Sequence, residues 1–366
     1  MLLRDHFKIT KKIKNILIIQ LGDIGDVVWT TPTVWASKET YPEANVSILV
    51  RRGFGSLLEA DPSVHKIFEV PNTQGNLASN VGAELRLIRK LRREKFDLVL
   101  DLRSGDRGAF MAFLTGAPVR GSLYHTAVPF WRNWLFTHLL ADLPVPKERI
   151  LGAAEQSLCI ARGFGIVGKS TIPRLWVSDR VMARACEIMA GCGMTPDASD
   201  ERKWITVNPF SRWSYKEWAD DKWVKVINWL WDEFQLAAAV VGSKEEAARA
   251  ADLLKNCKGI VRNLAGSTTL AELAGVLRLS RLHLGVDSAA PHIAAAVGRP
   301  TITIYGPSDW RDWAPVGDQH RVVVLSMDCV PCHKKGCDGS GVSQCLEKLG
   351  MEPVKKAIRY LIERTI

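Results

Sequence analysis

Short apolar runs alternate along the chain with stretches in which apolar residues return every three or four positions. In the first half the runs are Ile16–Gln20, Val46–Val50, Lys66–Val70, Asp97–Asp101 and Val119–Leu123. The second half restarts the alternation with Trp204–Asn208, Leu236–Val241, Arg281–Val286 and Thr301–Tyr305. Runs this short and apolar predict strands, and the amphipathic stretches between them predict helices. Val81–Arg93 is the clearest, with Leu85, Ile88 and Leu91 at helical spacing among Arg and Lys. Asp221–Phe234, Lys244–Lys255, Thr269–Arg278 and Ala290–Val297 read the same way, and strands alternating with helices indicate α/β units around parallel sheets.

A Pro and polar residues over Ile172–Asp179 follow the helical pattern of Ala153–Ala161 and mark a boundary. The expected organisation is an N-terminal α/β domain over 1–175, a second over 176–350, and a terminal amphipathic helix over 351–366. That helix carries Val354, Ala357, Ile358 and Leu361 at 3–4 spacing, free to fold back on the first domain. A length of 366 residues suits two such domains. With 47% apolar and 24% charged residues, disorder is excluded as the main state. No run reaches the ~20 apolar residues of a membrane span, and the first residues lack a signal's apolar core, so a cytoplasmic location is expected.

Charge changes the picture when it is divided. Residues 1–180 hold 25 Lys/Arg against 17 Asp/Glu, whereas residues 181–366 hold 24 against 22. A basic first half fits a polyanionic partner: a phosphorylated substrate, an anionic lipid surface or nucleic acid. It is equally the composition of a soluble basic surface. No zinc-finger, RNP or Arg-rich pattern favours nucleic acid.

Two regions carry candidate chemistry. Ile16–Gln20 leads through Leu21-Gly22-Asp23-Ile24-Gly25-Asp26 into a helix over Val27–Ser37. The glycines let a ligand approach the backbone, but Asp23 and Asp26 would repel a phosphate, and the spacing is not that of a dinucleotide turn. Asp26 can be a general base toward a hydroxyl, or an N-cap bonding Val28 or Trp29 N–H. In the second half, Ser211, Arg212 and Lys216 follow the strand Trp204–Asn208, a strand end where open α/β sheets bind ligands. Hydroxyl, guanidinium and ammonium together suit a diphosphate; a solvated charged loop is the plain reading. Asp287, Ser288 and Ala289 open a small-residue helix whose start can accept an anion, and His292 follows as a ligand contact or a core residue. Glu245 or Glu246 can hold ribose hydroxyls or simply begin a helix.

Four of the eight cysteines crowd together as Cys329-x2-Cys332-x4-Cys337-x7-Cys345. They form either a structural zinc site, a loop of free thiols or a disulfide.

Four separated motifs, LGDIGDVVWTTP, SRWSYKEW, VDSAAPHIAAAVGRPT and IYGPSD, together resemble glycosyltransferase family 9, the heptosyltransferases of lipopolysaccharide core assembly. The SRWSYKEW form and the cysteine cluster are more similar to the heptosyltransferase II and III branch. The resemblance implies a GT-B fold: two Rossmann-like domains with parallel sheets facing across a cleft. It implies inverting transfer of L-glycero-D-manno-heptose from ADP-heptose to a hydroxyl of the inner core, with no cofactor and no catalytic metal. Asp26 matches the family's base and Lys216 its phosphate-binding lysine. Ser211, Arg212, Asp287, Ser288, Ala289, His292 and Glu245 or Glu246 fall on the donor side, and Asp23, Arg51 and Arg103 on the acceptor side. The implied partners are a nucleotide-sugar donor, a phosphorylated lipid-linked acceptor and the cytoplasmic membrane face, not nucleic acid.

Three positions depart from the family pattern. Asp23 adds a second carboxylate beside the base, Ser288-Ala289 replaces the usual Thr-Gly, and Pro291 precedes His292, which is tolerable only in a first helical turn. The rival readings are a transferase or epimerase using a UDP-sugar, distinguished by release of UDP rather than ADP, and a non-catalytic nucleotide or nucleic-acid binder.

Overall fold

The computed structural model describes residues 2–3, 7, 9, 12–71, 77–103, 105–126, 128–141, 152–194 and 204–364. Two compact units change over between Trp176 and Val177.

The first unit holds strands β1 (Leu2–Leu3), β2 (Asn15–Gln20), β3 (Asn45–Arg51), β4 (Lys66–Val70), β5 (Leu98–Asp101), β6 (Val119–Leu123) and β7 (His138–Leu140). They form one sheet in the order β1-β7-β6-β5-β2-β3-β4, and every pairing is parallel. Its helices are α1 (Ile24–Thr40), α2 (Leu77–Arg93), α3 (Asp106–Leu114), α4 (Phe130–Trp134) and α5 (Gly152–Gly163). The central strands are buried along their length, as both faces of a parallel sheet must be. Leu87 and Leu91 of α2 and Ala109, Met111 and Ala112 of α3 pack with Leu17, Ile19 and Val99 of the sheet.

Helix α1 continues through Pro32, which has no N–H to offer the carbonyl of Val28. The Thr31 hydroxyl donates to that carbonyl at 2.9 Å, so the helix loses no partner there.

The second unit begins with α6 (Asp179–Gly191) and builds a sheet from β8 (Trp204–Asn208), β9 (Ala237–Val240), β10 (Val261–Asn263), β11 (His283–Val286), β12 (Thr301–Tyr305) and β13 (His320–Val324). The order is β10-β9-β8-β11-β12-β13, again parallel throughout. Around it lie α7 (Asp220–Phe234), α8 (Ala247–Leu254), α9 (Leu270–Leu279), α10 (Ala289–Ala296), α11 (Trp310–Trp313), α12 (Gln344–Lys348) and α13 (Glu352–Arg364). Each unit is Rossmann-like. The expectation of a separate terminal helix folding back on the first domain is corrected here. Val354, Ile358, Leu361 and Ile362 of α13 are buried in the second unit's core, against β12 and β13. Four buried apolar side chains, each contributing roughly 2 kcal/mol, tie the helix to that sheet.

The strand orders fix where a site can form. In the first sheet the chain runs outward from β2 through β3 to β4, then returns to β5 on the other side of β2 and runs outward the opposite way. The second sheet reverses likewise between β8 and β11. At such a switch point the loops leaving two neighbouring strands splay apart, and a crevice opens beyond their carboxyl ends.

Candidate functional site

In the first unit, β2 and β5 lie side by side with Ile19 opposite Asp101, so the turn after β2 meets the loop after β5. Asp23 is the N-cap of α1 and Asp26 stands three residues into the helix. The expected cap from Asp26 to Val28 or Trp29 is not formed; the Asp26 carboxylate reaches backward instead. Its Oδ2 accepts the Asp23 N–H at 2.6 Å as half of a reciprocal capping box. Its Oδ1 accepts from the Arg103 guanidinium at 2.9 Å. Gln20 braces the turn, donating to Thr30 Oγ1 at 3.0 Å and accepting from Gly22 N–H at 3.0 Å.

Burial separates the two aspartates. Asp26 is 9% exposed, and desolvation raises its pKa above the usual carboxylate range, with Arg103 and the Asp23 N–H pulling the other way. Asp23 is half exposed and pairs with Arg51 at 3.1 Å, while Arg51 Nε also donates to the Leu21 carbonyl at 2.6 Å. Arg103 and Arg51, expected on the acceptor side, thus each sit on one of the two aspartates.

In the second unit, the loop after β8 meets the loop after β11. Lys216, in a 3-10 turn over Ser214–Lys216, places Nζ 2.6 Å from Asp287 Oδ2. Ser211 Oγ donates to the Asp287 carbonyl at 3.4 Å, and Ser288 Oγ donates to Asn208 Oδ1 at 2.9 Å. Because Ser288 spends its hydroxyl on Asn208, no side-chain cap covers the start of α10. Pro291 is the third residue of that helix, in the first turn where a missing N–H costs nothing. His292 is buried and held neutral, its pKa pushed down to about 4 by burial, with Asp287 opposing and Lys216 reinforcing. Tyr305, also buried, has a hydroxyl with no partner among the described residues; burial and then Asp287 keep it protonated.

The other residues expected on the donor side are exposed or half-buried. Arg212 is exposed on the loop after β8. Glu246 is the N-cap of α8, and its carboxylate accepts the Ser243 N–H at 2.7 Å. Glu245 is exposed beside it, its pKa lowered by its own backbone N–H and by Ser243.

The cysteines do not assemble the metal-holding group that their spacing suggested. Among the described residues no three His, Cys, Asp or Glu side chains are placed to hold an ion. Cys329 is exposed, Cys337 Sγ accepts the Gln344 N–H at 3.4 Å, and Cys345 is buried in the core beside Leu346. All four are free thiols, so no disulfide forms either. The segment instead braces the loop after β8: Ser343 Oγ donates to the Tyr215 carbonyl at 2.7 Å and Ser214 Oγ to that of Gly341 at 3.2 Å.

The model of glycosyltransferase family 9 (heptosyltransferase) matches residues 84–342, most of the chain. The chain belongs to this family. Lipopolysaccharide heptosyltransferase 3 of Escherichia coli is 28% identical over 300 residues, covering 79% of this chain and 84% of that protein. Among solved structures, a family 9 glycosyl transferase from Veillonella parvula superposes with a TM-score of 0.80 at 20% identity, covering 96% of this chain and 97% of that one. The E. coli ADP-heptose lps heptosyltransferase II superposes at 0.75 and 21% identity, covering 96% and 99%. The fold is that of the family 9 heptosyltransferases.

Several residues of both crevices escaped the sequence reading. Glu217 accepts the Ser211 N–H at 2.8 Å and is itself held by Arg249 at 2.5 Å, so it shapes the loop that carries Lys216. Glu217 lies within the SRWSYKEW motif, a signal that was available. Asp101 and Arg132, which surround the Arg103 backbone, had no signal short of the strand order.

Proposed function

We propose that this family 9 enzyme transfers a heptose from ADP-heptose to a hydroxyl of a lipopolysaccharide inner-core acceptor, with inversion at the anomeric carbon. The observation that carries the reading is the Asp26 carboxylate, buried at a switch point with its acidity weakened by desolvation. A carboxylate in that state is a stronger base toward a hydroxyl than one in water. Asp26 takes the proton from the acceptor hydroxyl as that oxygen attacks the anomeric carbon. The donor's glycosidic C–O bond breaks and its electrons leave with ADP.

Lys216, Ser211 and the uncapped start of α10 bind the donor diphosphate and stabilise the charge that accumulates on it. Lys216 is held by Asp287 beforehand, so its ammonium does not wander before the diphosphate arrives. Arg212 and His292 complete the donor side, and Glu245 or Glu246 takes the ribose hydroxyls. Asp23, Arg51 and Arg103 line the acceptor side.

The acceptor is phosphorylated and lipid-linked, which brings peripheral contact with the cytoplasmic membrane face. No helix among the described residues is long and apolar enough to cross a membrane. Support for surface contact comes from α4, where Phe130 is 66% and Trp134 76% exposed, on the unit that carries the exposed cations Arg86, Arg89 and Lys90 of α2.

Incubation with ADP-heptose and a heptose-deficient core acceptor should release ADP and a lengthened glycan, and UDP-sugars should give no product. Asp26→Asn should cut turnover by at least ~10²-fold with ADP-heptose affinity nearly intact. ADP-heptose binding without transfer, or wild-type turnover in that variant, refutes the assignment.

A further inference from the structure

We propose that the buried pair Asp101–Arg132 is a positioning device for the base: it grips the Arg103 backbone from both sides and so holds the Arg103 guanidinium against Asp26. The proposal rests on the reading of Asp26 as base, and deepens it.

Neither member of the pair reaches solvent, and Arg132 NH2 lies 3.4 Å from Asp101 Oδ2. Asp101 ends β5, with Gly108 so close that a Cβ there would lie 2.7 Å from Asp101 Oδ1. Arg132 comes from α4, on the inward side of a helix whose Phe130 and Trp134 face out. Its guanidinium has the Phe136 ring 5.2 Å away, while Nε and NH1 find no partner among the described residues. The charged groups near Arg132 are Asp101 and Asp106, and those near Asp26 are Arg103, Asp23 and Arg51.

Leaving two guanidinium nitrogens dry and unbonded is costly, and a buried ion pair adds little net stability over apolar residues of equal volume. What apolar residues could not do is bind peptide groups. Asp101 Oδ1 accepts the Arg103 N–H at 3.2 Å, and Arg132 NH2 donates to the Arg103 carbonyl at 2.8 Å. The residue between those two bonds is the one whose side chain meets Asp26 Oδ1 at 2.9 Å. Arg103 itself is half exposed and would otherwise sample many rotamers, because a surface pair alone does not hold a long side chain. Fixing its backbone fixes where the guanidinium starts, and with it the orientation of the base.

Two variants separate this from a merely structural role. Asp101→Leu/Arg132→Met removes both charges together, the replacement that buried pairs tolerate best. Gly108→Ala keeps the pair but crowds the Asp101 carboxylate. Arg103→Met serves as the reference for loss of the guanidinium. The readouts are the titration of the Asp26 carboxyl followed by carbon NMR, assigned with Asp26→Asn, and the pH profile of kcat.

In all three variants the Asp26 titration and the acid limb of kcat should move to higher pH. kcat should fall roughly ten- to a hundredfold, while the donor KM stays at its wild-type value. A folded double variant or Gly108→Ala protein with wild-type titration and profile overturns the proposal. So does an Arg103→Met protein in which only the acceptor KM rises. Full activity of Asp26→Asn would refute the base assignment instead, and the NMR titration would still decide whether the pair holds Arg103 in place.

Discussion

The Asp26 carboxylate occupies the space that any side chain at Gly22 would need: a Cβ built on Gly22 lies 2.2 Å from Asp26 Oδ2. The glycine before the helix is therefore there for close approach. Gly22→Ala must push Asp26 off the Asp23 N–H, and with it off Arg103. We expect kcat to fall on the order of 10²-fold, from displacement of the proposed base by about an ångström. Donor affinity, measured by calorimetry with ADP, should be unchanged. An alanine variant with wild-type kcat would show that Asp26 needs no such fixed position.

Lys216 and Asp287, 2.6 Å apart, make the second unit's counterpart. Lys216→Ala removes the cation and leaves the Asp287 carboxylate poorly solvated. ADP-heptose should bind at least ~10-fold more weakly, as loss of one charge-assisted contact to phosphate implies, and kcat should fall as well. A drop in kcat with unaltered donor binding would place Lys216 outside the diphosphate site.

Three buried histidines make the second unit acid-sensitive. Burial pushes His283 down to about 3 and His292 and His320 down to about 4, so all three are neutral in the folded chain. In the unfolded chain they take up protons near the ordinary value of about 6.5. Depressed folded values mean stability that is complete above pH ~6.5 and lost as pH falls toward ~4. Chemical denaturation at pH 7 and pH 4.5 should show that loss. His320→Gln, whose neighbours include the Thr301 hydroxyl at 2.9 Å, should flatten the slope between the two pH values. An unchanged slope would mean that His320 protonates freely in the folded state.

The outward aromatics of α4 bear on lipid contact. Phe130→Ser/Trp134→Ser should reduce co-sedimentation with vesicles containing anionic phospholipid, and raised salt should reduce it further by screening the basic side chains of the first unit. Activity on a soluble, delipidated acceptor should be untouched. Equal sedimentation of variant and wild type would remove α4 from membrane contact.

The interior strands were legible because a strand covered on both faces is apolar along its run, as Ile16–Ile19 and Leu98–Leu100 are. Val119–Leu123, Trp204–Asn208 and Thr301–Tyr305, inside their sheets, have the bounds expected, and so does Lys66–Val70 at an edge, where Ile67, Phe68 and Val70 keep the run apolar enough. The strands that escaped are peripheral or short: Leu2–Leu3, His138–Leu140, Val261–Asn263 and His320–Val324. A strand at a sheet's edge is only partly covered, so charged residues such as Arg262 and Arg321 interrupt its apolar run. Helix α3 escaped for a related reason: its Phe110 and Phe113 face outward and blur the helical period.

Sequence alone determined that two α/β units follow one another, that Asp26 and Lys216 each sit just beyond a strand, and that the motifs around them resemble one family. These are local properties, set by periodicity and by what a turn or helix start can accommodate. Which groups touch them was decided by strand order. Arg103 is 77 residues from Asp26 and Asp287 is 71 from Lys216, and each pair meets because β5 settles beside β2 and β11 beside β8. Such neighbours are chosen by burial of whole sheets, a sum over many side chains that no short stretch of residues carries.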